Sequence, residues 1–179
     1  MMLNRIIIIG AGGHGKVVYD AIVSQGKYSV IGFVDAALPV GTVVINNYKV
    51  IASQEAIQTL KDKADYFIVA IGNNEVRKKL FDIAKQFLKP AVIIHSSAVI
   101  GSDVKIGEGS VVLANAVINA FSDIGVNSIV NARVVIDHEC KVGNHVHLAI
   151  GTMLGSNSEV GNNYKTPIGE KIQPFSKIQ

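Results

Sequence analysis

A six-residue repeat runs through the second half of this 179-residue chain. Every sixth residue from Ile94 to Val160 is aliphatic, and the residue two places before each of them is small or aliphatic. Two inward positions per six residues describe one flat face of a prism, and three faces make one coil of a parallel β-helix. The repeat therefore predicts a β-helix of about four coils, filled by Ile and Val in a chain without tryptophan.

Glycine follows the large aliphatic residue in several of these hexads. We expect these glycines at the corners between faces, where the chain needs either φ > 0 or a close backbone approach. The pairs are Ile100-Gly101, Ile106-Gly107, Ile124-Gly125, Val142-Gly143, Leu154-Gly155 and Val160-Gly161.

The pattern changes between Pro90 and Ser97, which predicts two domains. Residues 1–93 are expected to form an α/β, Rossmann-like domain, and residues 94–163 the β-helix. After Asn163 the hexad phase is lost, because the segment Tyr164–Ile168 fits no hexad. Residues 164–179 are therefore predicted to be an irregular or truncated tail.

The first domain opens with a glycine-rich loop in the setting of a phosphate site. Arg5 to Ile9 has the pattern of a buried strand, the run Gly10–Gly15 follows as GxGxxG, and a helical pattern comes next. The N-terminus of a helix offers unpaired N–H groups to a diphosphate. Gly12, Gly13 and His14 are the candidate contacts; the alternative is that the glycines only turn the chain.

Two further strand ends carry polar residues. Tyr28 to Val34 reads as a strand that ends at Asp35, and Asp65 to Ile71 as one that runs into Gly72-Asn73-Asn74. Open α/β sheets bind ligands at this edge, which makes Asp35, Gly72 and Asn73 candidates, although the asparagines could simply cap the next helix. A domain of about 90 residues supplies one mononucleotide-binding half, which favours a nucleotide-sugar over NAD.

Asp137-His138-Glu139-Cys140 follows the inward Ile136, so His138 lies at or beside a corner. A histidine beside a carboxylate is suited to act as a general base, although His138 could equally be a solvated corner residue. No set of residues has metal-ligand spacing, and no nucleophile motif is present.

Composition narrows the function classes. A net charge of +3 without a basic cluster argues against nucleic acid. The single cysteine, Cys140, sits at an inward position. The apolar N-terminal run ends at Gly10, too early for a membrane span, so a cytoplasmic protein is the expectation.

Four segments together resemble the bacterial sugar acetyltransferases, above all the N-acetyltransferases of UDP-4-amino-sugars, with the sialic acid O-acetyltransferases as relatives. They are Gly10–Lys16, Ala70–Lys79, Ile93–His95 and Ile136–Cys140. The resemblance implies a left-handed β-helix, a homotrimer and acetyl-CoA bound between adjacent coils. A shortened last coil would then weaken the affinity for coenzyme A.

The same resemblance implies roles for individual residues. His138 would be the base, Glu139 would raise its basicity, and Asn131 would lie near the reaction centre. His147 would contact acetyl-CoA near the thioester. Gly12, Gly13, His14 and Asp35 would contact the nucleotide-sugar, although Ala36 follows Asp35 where the family often has a second acid.

The sequence therefore predicts an acetyl-CoA-dependent N-acetyltransferase that acts on a nucleotide-activated 4-amino-sugar without a metal. One alternative is O-acetylation of a sialic acid or a related sugar. A second is a catalytically weak trimer that binds a nucleotide-sugar and uses a truncated β-helix as a scaffold.

Overall fold

A computed structural model describes residues 3–179. An α/β domain comes first and a parallel β-helix second, as the sequence predicts. The elements of the first domain are β1 (Asn4–Ile9), α1 (Gly13–Gln25), β2 (Tyr28–Val34), β3 (Val43–Ile45), β4 (Tyr48–Ala52), a 3₁₀ helix (Gln54–Leu60), β5 (Tyr66–Val69), α2 (Asn74–Ala84) and β6 (Lys89–Pro90).

The sheet of the first domain has the order β3-β4-β2-β1-β5-β6. All neighbours pair in parallel except β3 and β4. The chain leaves β1 toward β2 on one side and later returns to β5 on the other, so the topological switch point lies between β1 and β5. Open α/β sheets bind ligands in the crevice beyond the strand ends at such a point.

The β-helix is built from strands of two residues. They are β7 (Ile93–Ile94), β8 (Val99–Ile100), β9 (Lys105–Ile106), β10 (Val111–Val112), β11 (Val117–Ile118), β12 (Asp123–Ile124), β13 (Ile129–Val130), β14 (Val135–Ile136), β15 (Lys141–Val142), β16 (His147–Leu148), β17 (Met153–Leu154), β18 (Glu159–Val160), β19 (Lys171–Ile172) and β20 (Lys177–Ile178).

These strands stack into three parallel sheets, which we call faces. Face 1 contains β7, β10, β13 and β16; face 2 contains β8, β11, β14, β17 and β19; face 3 contains β9, β12, β15, β18 and β20. Paired strands are offset by one coil, as in Ile93 with Val111 and Val111 with Ile129. The two inward residues of each hexad fill the interior, as predicted: Val130, Val134 and Ile136, for example, are fully buried.

The glycines after the aliphatic residues serve close approach rather than a left-handed backbone. A Cβ on Gly101 would lie 2.7 Å from the nitrogen of Ala120, and one on Gly125 would lie 2.5 Å from the backbone of Gly143. In each corner, the residue with a left-handed backbone conformation comes two places after the position of these glycines. It is a non-glycine at Asp103, Asn115, Phe121, Asn127, Arg133, Glu139, His145, Asn157, Asn163 and Phe175.

The prediction of an irregular tail is wrong. Lys165 forms a parallel bridge with His147, β19 pairs with β17, and β20 pairs with β18, so residues 165–178 complete a fifth coil in phase with the others. Thr166 occupies the inward position and is buried. Its hydroxyl accepts the Ala149 N–H at 2.7 Å and lies 2.8 Å from the Thr152 hydroxyl, so hydrogen bonds replace the expected apolar contact.

The outward sides of the three faces differ. On face 1, Ile93, Val111 and Ile129 are buried in a core shared with α1 and the first-domain sheet. Face 3 presents charged residues, namely Lys105, Asp123, Lys141, Glu159 and Lys177. Face 2 presents apolar residues to solvent, including Val99, Val135 and Met153. No helix within residues 3–179 is both long and apolar enough to span a bilayer.

Candidate active site

The glycines of the first loop divide into two kinds. Gly10 has φ +111°, and a Cβ on Gly15 would lie 2.2 Å from the Gly10 carbonyl oxygen, so these two glycines allow tight packing. A Cβ on Gly12 or Gly13 would meet nothing within 4 Å. Gly12 is the N-cap of α1, so the open side of the loop coincides with unpaired N–H groups that can bind an anion.

Asp35 ties the end of β2 to this loop. Its carboxylate accepts the backbone N–H of Ala11 at 2.8 Å, of Ala37 at 2.9 Å and of Leu38 at 3.1 Å. Desolvation raises the pKa of Asp35, but the three hydrogen bonds outweigh it and leave the pKa below its ordinary value. Asp35 is therefore an ionised side chain that shapes the loop, a role that the sequence did not reveal.

The second loop, after β5, is held between the domains. Asn73 caps α2, since its Oδ1 accepts the Val76 N–H at 3.0 Å, which is the structural role considered above. Asn74 is buried and donates from its amide to the carbonyl oxygens of Asn163 (2.7 Å) and Tyr164 (3.1 Å) in the β-helix. The amide nitrogen of Asn73 is left free to contact a ligand.

His147 joins Gly72 to the β-helix at the buried side of face 1. Its Nδ1 lies 3.1 Å from the Gly72 carbonyl oxygen, which can only accept, so Nδ1 carries the proton. Its Nε2 lies 3.3 Å from the amide nitrogen of Asn131 and accepts from it. Burial lowers the pKa of His147, which keeps the ring neutral at pH 7.

His14 lies beside this pair, with ring centroids of His14 and His147 6.2 Å apart. The buried Nε2 of His14 has no hydrogen-bond partner among residues 3–179. Burial, aided by His147 and Arg77, lowers the pKa of His14 to about 4. The cluster of His14, Gly72, Asn131 and His147 is thus an uncharged polar site between the two domains.

Arg77 anchors α2 to the corners of the β-helix. Its guanidinium donates to the carbonyl oxygens of Asn127 (3.0 Å), Ile71 (3.1 Å), His145 (2.7 Å) and Val146 (3.2 Å). Burial lowers its pKa to about 10, so the side chain stays charged at pH 7. A single buried arginine on a helix gave no signal of this role in the sequence.

His138 and Glu139 form a pair on the corner between faces 2 and 3. The His138 Nδ1 lies 3.0 Å from the Glu139 Oε2, and both side chains are about half exposed, at 51% and 55%. A carboxylate accepts from Nδ1–H, which leaves the Nε2 lone pair facing outward. Asp137 Oδ1 accepts the backbone N–H of His138 at 2.8 Å and the Asn119 amide at 3.2 Å.

The predicted site residues therefore fall into two separate groups. The group around His14, Gly72 and His147 lies over face 1, beneath the first domain. The pair His138 and Glu139 lies on the corner between faces 2 and 3, which is opposite face 1 in a three-sided prism. Within residues 3–179, no group of three His, Cys, Asp or Glu side chains is placed to hold a metal ion.

Comparison with known proteins identifies the family to which this chain belongs. The PglD N-terminal domain family matches residues 5–84. A histidine-to-asparagine variant of perosamine N-acetyltransferase from Caulobacter crescentus, solved with CoA and GDP-perosamine, is 31% identical and superposes with a TM-score of 0.80. The match covers 98% of this chain and 86% of that one. The chain belongs to the bacterial sugar acetyltransferases with hexapeptide repeats.

Two further members of the family are similar. The acetyltransferase domain of PglB from Neisseria gonorrhoeae, solved with acetyl coenzyme A, is 29% identical, with a TM-score of 0.77 and coverage of 99% and 97%. UDP-N-acetylbacillosamine N-acetyltransferase from Bacillus subtilis is 28% identical over 125 residues. That match covers 63% of this chain, and the chain spans 52% of that relative's length. The family confirms the predicted left-handed β-helix.

Proposed function

We propose that this protein transfers the acetyl group of acetyl-CoA to the amino group of a nucleotide-activated 4-amino-sugar in the cytoplasm. The observation that carries the proposal is the His138–Glu139 pair, because the carboxylate beside Nδ1 leaves Nε2 as the ring nitrogen available to act as a base at the surface of the β-helix. Family members supply the substrate class: one was solved with GDP-perosamine and another is named for a UDP-linked amino-sugar. The nucleotide in our proposal is UDP, and the alternative is GDP.

The chemistry is direct attack. The lone pair of the sugar amine forms the new C–N bond to the thioester carbonyl, and His138 Nε2 takes a proton from the amine nitrogen. The C–S bond then breaks, and the proton passes to the departing thiolate to give free coenzyme A. Glu139 holds the imidazole through Nδ1 and stabilises its protonated form.

The developing oxyanion needs a hydrogen-bond donor. Neutral His147 cannot donate from Nε2, because its proton is on Nδ1 and directed at Gly72. We therefore assign the donor role to Asn131, whose amide carries a second hydrogen besides the one toward His147. His147 and Asn131 together remain our proposed contacts to acetyl-CoA near the thioester.

The nucleotide is proposed to bind the open side of the first loop. Gly12 and Gly13 leave room beside the N-terminus of α1, which is where a diphosphate is stabilised. Asp35 shapes this loop, His14 lies at its inner side, and Gly72 and Asn73 border the crevice on the β5 side. We therefore assign all six candidates to one crevice.

The proposed site requires two copies of the chain. His138 and the nucleotide crevice lie on opposite sides of one β-helix, so a sugar held by one copy must reach His138 of a neighbour. The apolar outward side of face 2 adjoins the corner that carries His138, which makes it suitable for this contact. A closed ring with one site per interface is the predicted homotrimer.

The scaffold alternative depended on a truncated last coil. Because the fifth coil is intact, both this alternative and the expectation of weak coenzyme A binding lose their basis.

The test is acetyl transfer by mixed trimers. His138→Ala should lower turnover by about 10²- to 10⁴-fold, the range for loss of a general base, while nucleotide-sugar binding persists. Gly12→Asp supplies a good helix N-cap but places a carboxylate where the diphosphate would lie. Each variant alone should be inactive, and co-expression of the two should restore activity, since a mixed trimer contains an interface with one intact half from each copy.

Thiol release and product mass are measured with a UDP-4-amino-4,6-dideoxy sugar, GDP-perosamine, CMP-sialic acid and free sialic acid. If acetyl transfer occurs only to sialic acid, the proposed N-acetyltransferase activity would be replaced by an O-acetyltransferase activity. Unchanged turnover in His138→Ala would remove this residue from the role of base. Mixed trimers that form but stay inactive would refute a site shared between copies.

A further inference from the structure

The corner that carries His138 is a column of stacked residues, one per coil. In the left-handed position of successive coils it contains Asp103, Phe121, Glu139, Asn157 and Phe175. Asn157 is the member one coil after Glu139. Its backbone N–H donates to the His138 carbonyl oxygen at 3.1 Å, so it is joined directly to the segment that holds the base.

The side chain of Asn157 makes a second contact. Its amide nitrogen donates to the Glu139 Oε2 at 3.3 Å, the same oxygen that accepts from His138 Nδ1 at 3.0 Å. Among the five residues of the column, only Asn157 has a side chain that can donate a hydrogen bond. Glu139 is about half exposed, so among residues 3–179 this amide is the one side chain besides His138 that holds its carboxylate.

We propose that Asn157 is a positioning residue for the base. It fixes the Glu139 carboxylate against His138 Nδ1, which in turn keeps the Nε2 lone pair available for the incoming amine. It acts through Glu139 and touches neither substrate. The inference rests on the proposed function of His138, and it adds a residue that the Asp-His-Glu-Cys motif does not contain.

Asparagine meets both demands of this position. Its φ is 56°, and asparagine tolerates the left-handed conformation better than most residues. An aspartate would have similar shape but would bring a second carboxylate against Glu139 and no donor. Partners that orient a reactive group in this way change activity by about 10- to 100-fold when removed, a range taken from the supports of metal ligands.

The first experiment compares Asn157→Gly with Asn115→Gly. Glycine keeps the left-handed backbone in both variants, and Asn115 is an exposed member of another corner with φ 57° and no side-chain hydrogen bond to residues 3–179. We expect kcat to fall by about 10-fold in Asn157→Gly, with KM for both substrates unchanged, and no effect in Asn115→Gly. An unchanged kcat in Asn157→Gly, or an equal fall in both variants, would overturn the proposal.

The second experiment asks whether the effect passes through Glu139. In a Glu139→Gln background, Asn157→Gly should lower kcat no further, because the carboxylate it orients is gone. An additional 10-fold loss in that background would contradict the proposal. If His138→Ala leaves turnover unchanged, the proposed function fails instead, which separates the two outcomes.

A readout independent of turnover is the ring ¹⁵N NMR spectrum of His138 at pH 8 without substrate. The wild-type protein should hold the Nδ1–H tautomer, and Asn157→Gly should lose this preference while Asn115→Gly keeps it. An identical tautomer in the wild-type protein and Asn157→Gly would refute the positioning role even if the protein acetylates no sugar.

Discussion

The histidines of this molecule have different roles, and the burial of each side chain determines its role. His138 is half exposed beside a carboxylate, whereas His147 is buried against a carbonyl and an amide. The sequence predicts the His138–Glu139 pair because the two residues are adjacent. It could not predict the tautomer of His147, because its partner Gly72 lies 75 residues earlier in the chain.

His14 makes the stability depend on pH. Its pKa falls from 6.5 to about 4 on folding, so the unfolded chain binds the proton more tightly between these values. His14 should contribute stability above pH 6.5 that is lost as the pH falls toward 4, about 2 to 3 kcal/mol by pH 4.5. The lowered pKa of His147 acts in the same direction.

The measurement is the free energy of unfolding in urea at pH 7 and pH 4.5. His14→Gln cannot be protonated, so the variant should lose less stability than the wild-type protein over this interval. Equal losses in the two proteins would show that the proton is taken up elsewhere.

At the scale of elements, regular hydrophobic patterns predicted the strands well. An element that depends on a buried, hydrogen-bonded polar residue was not predicted. The strand from Tyr28 to Val34 has the predicted bounds, and the hexads gave all three faces. The fifth coil was missed because Thr166 replaces an aliphatic residue and is satisfied by hydrogen bonds to distant partners. Strands β3 and β4 were missed because they are short and lack a clear alternation.

The loop between β1 and α1 offers a matched test of its two kinds of glycine. Gly15→Ala forces a Cβ to 2.2 Å from the Gly10 oxygen and should destabilise the fold by about 1–3 kcal/mol or more, as overpacking does. Gly12→Ala meets open space and should cost less than about 1 kcal/mol, mainly as a poorer N-cap. Thermal unfolding of both variants measures the two losses of stability. Equal losses would mean that Gly12 is also closely packed.

At the scale of the whole molecule, each side of the β-helix has its own surface. Face 1 is covered by the first domain, face 3 is charged, and face 2 is apolar and exposed. The sequence contains this information, since the first residue of each strand points outward. It does not say which faces the same chain covers, so the separation of the two groups of site residues could not be predicted.

Face 2 should hold the copies together. Val135 is 37% exposed, so Val135→Lys adds a charge to that surface without disturbing the interior. We expect the wild-type protein to sediment as a trimer and Val135→Lys as a monomer, with activity lost. Asp123→Lys places the same side chain on face 3 and should leave the trimer intact. A wild-type monomer, or a trimer in Val135→Lys, would contradict this arrangement.

Arg77 has a consequence for how such enzymes can change. Among residues 3–179 it forms no ion pair with a carboxylate; its guanidinium is hydrogen-bonded to four carbonyl oxygens, and three of the four belong to the β-helix. A first domain grafted from a relative would have to present its own guanidinium at the same corners, or leave the carbonyl oxygens of Asn127 and His145 without this donor. The two domains are thus not interchangeable modules, and a new sugar or nucleobase is more readily accommodated by altering the loops after β1, β2 and β5 than by exchanging the domain that carries them.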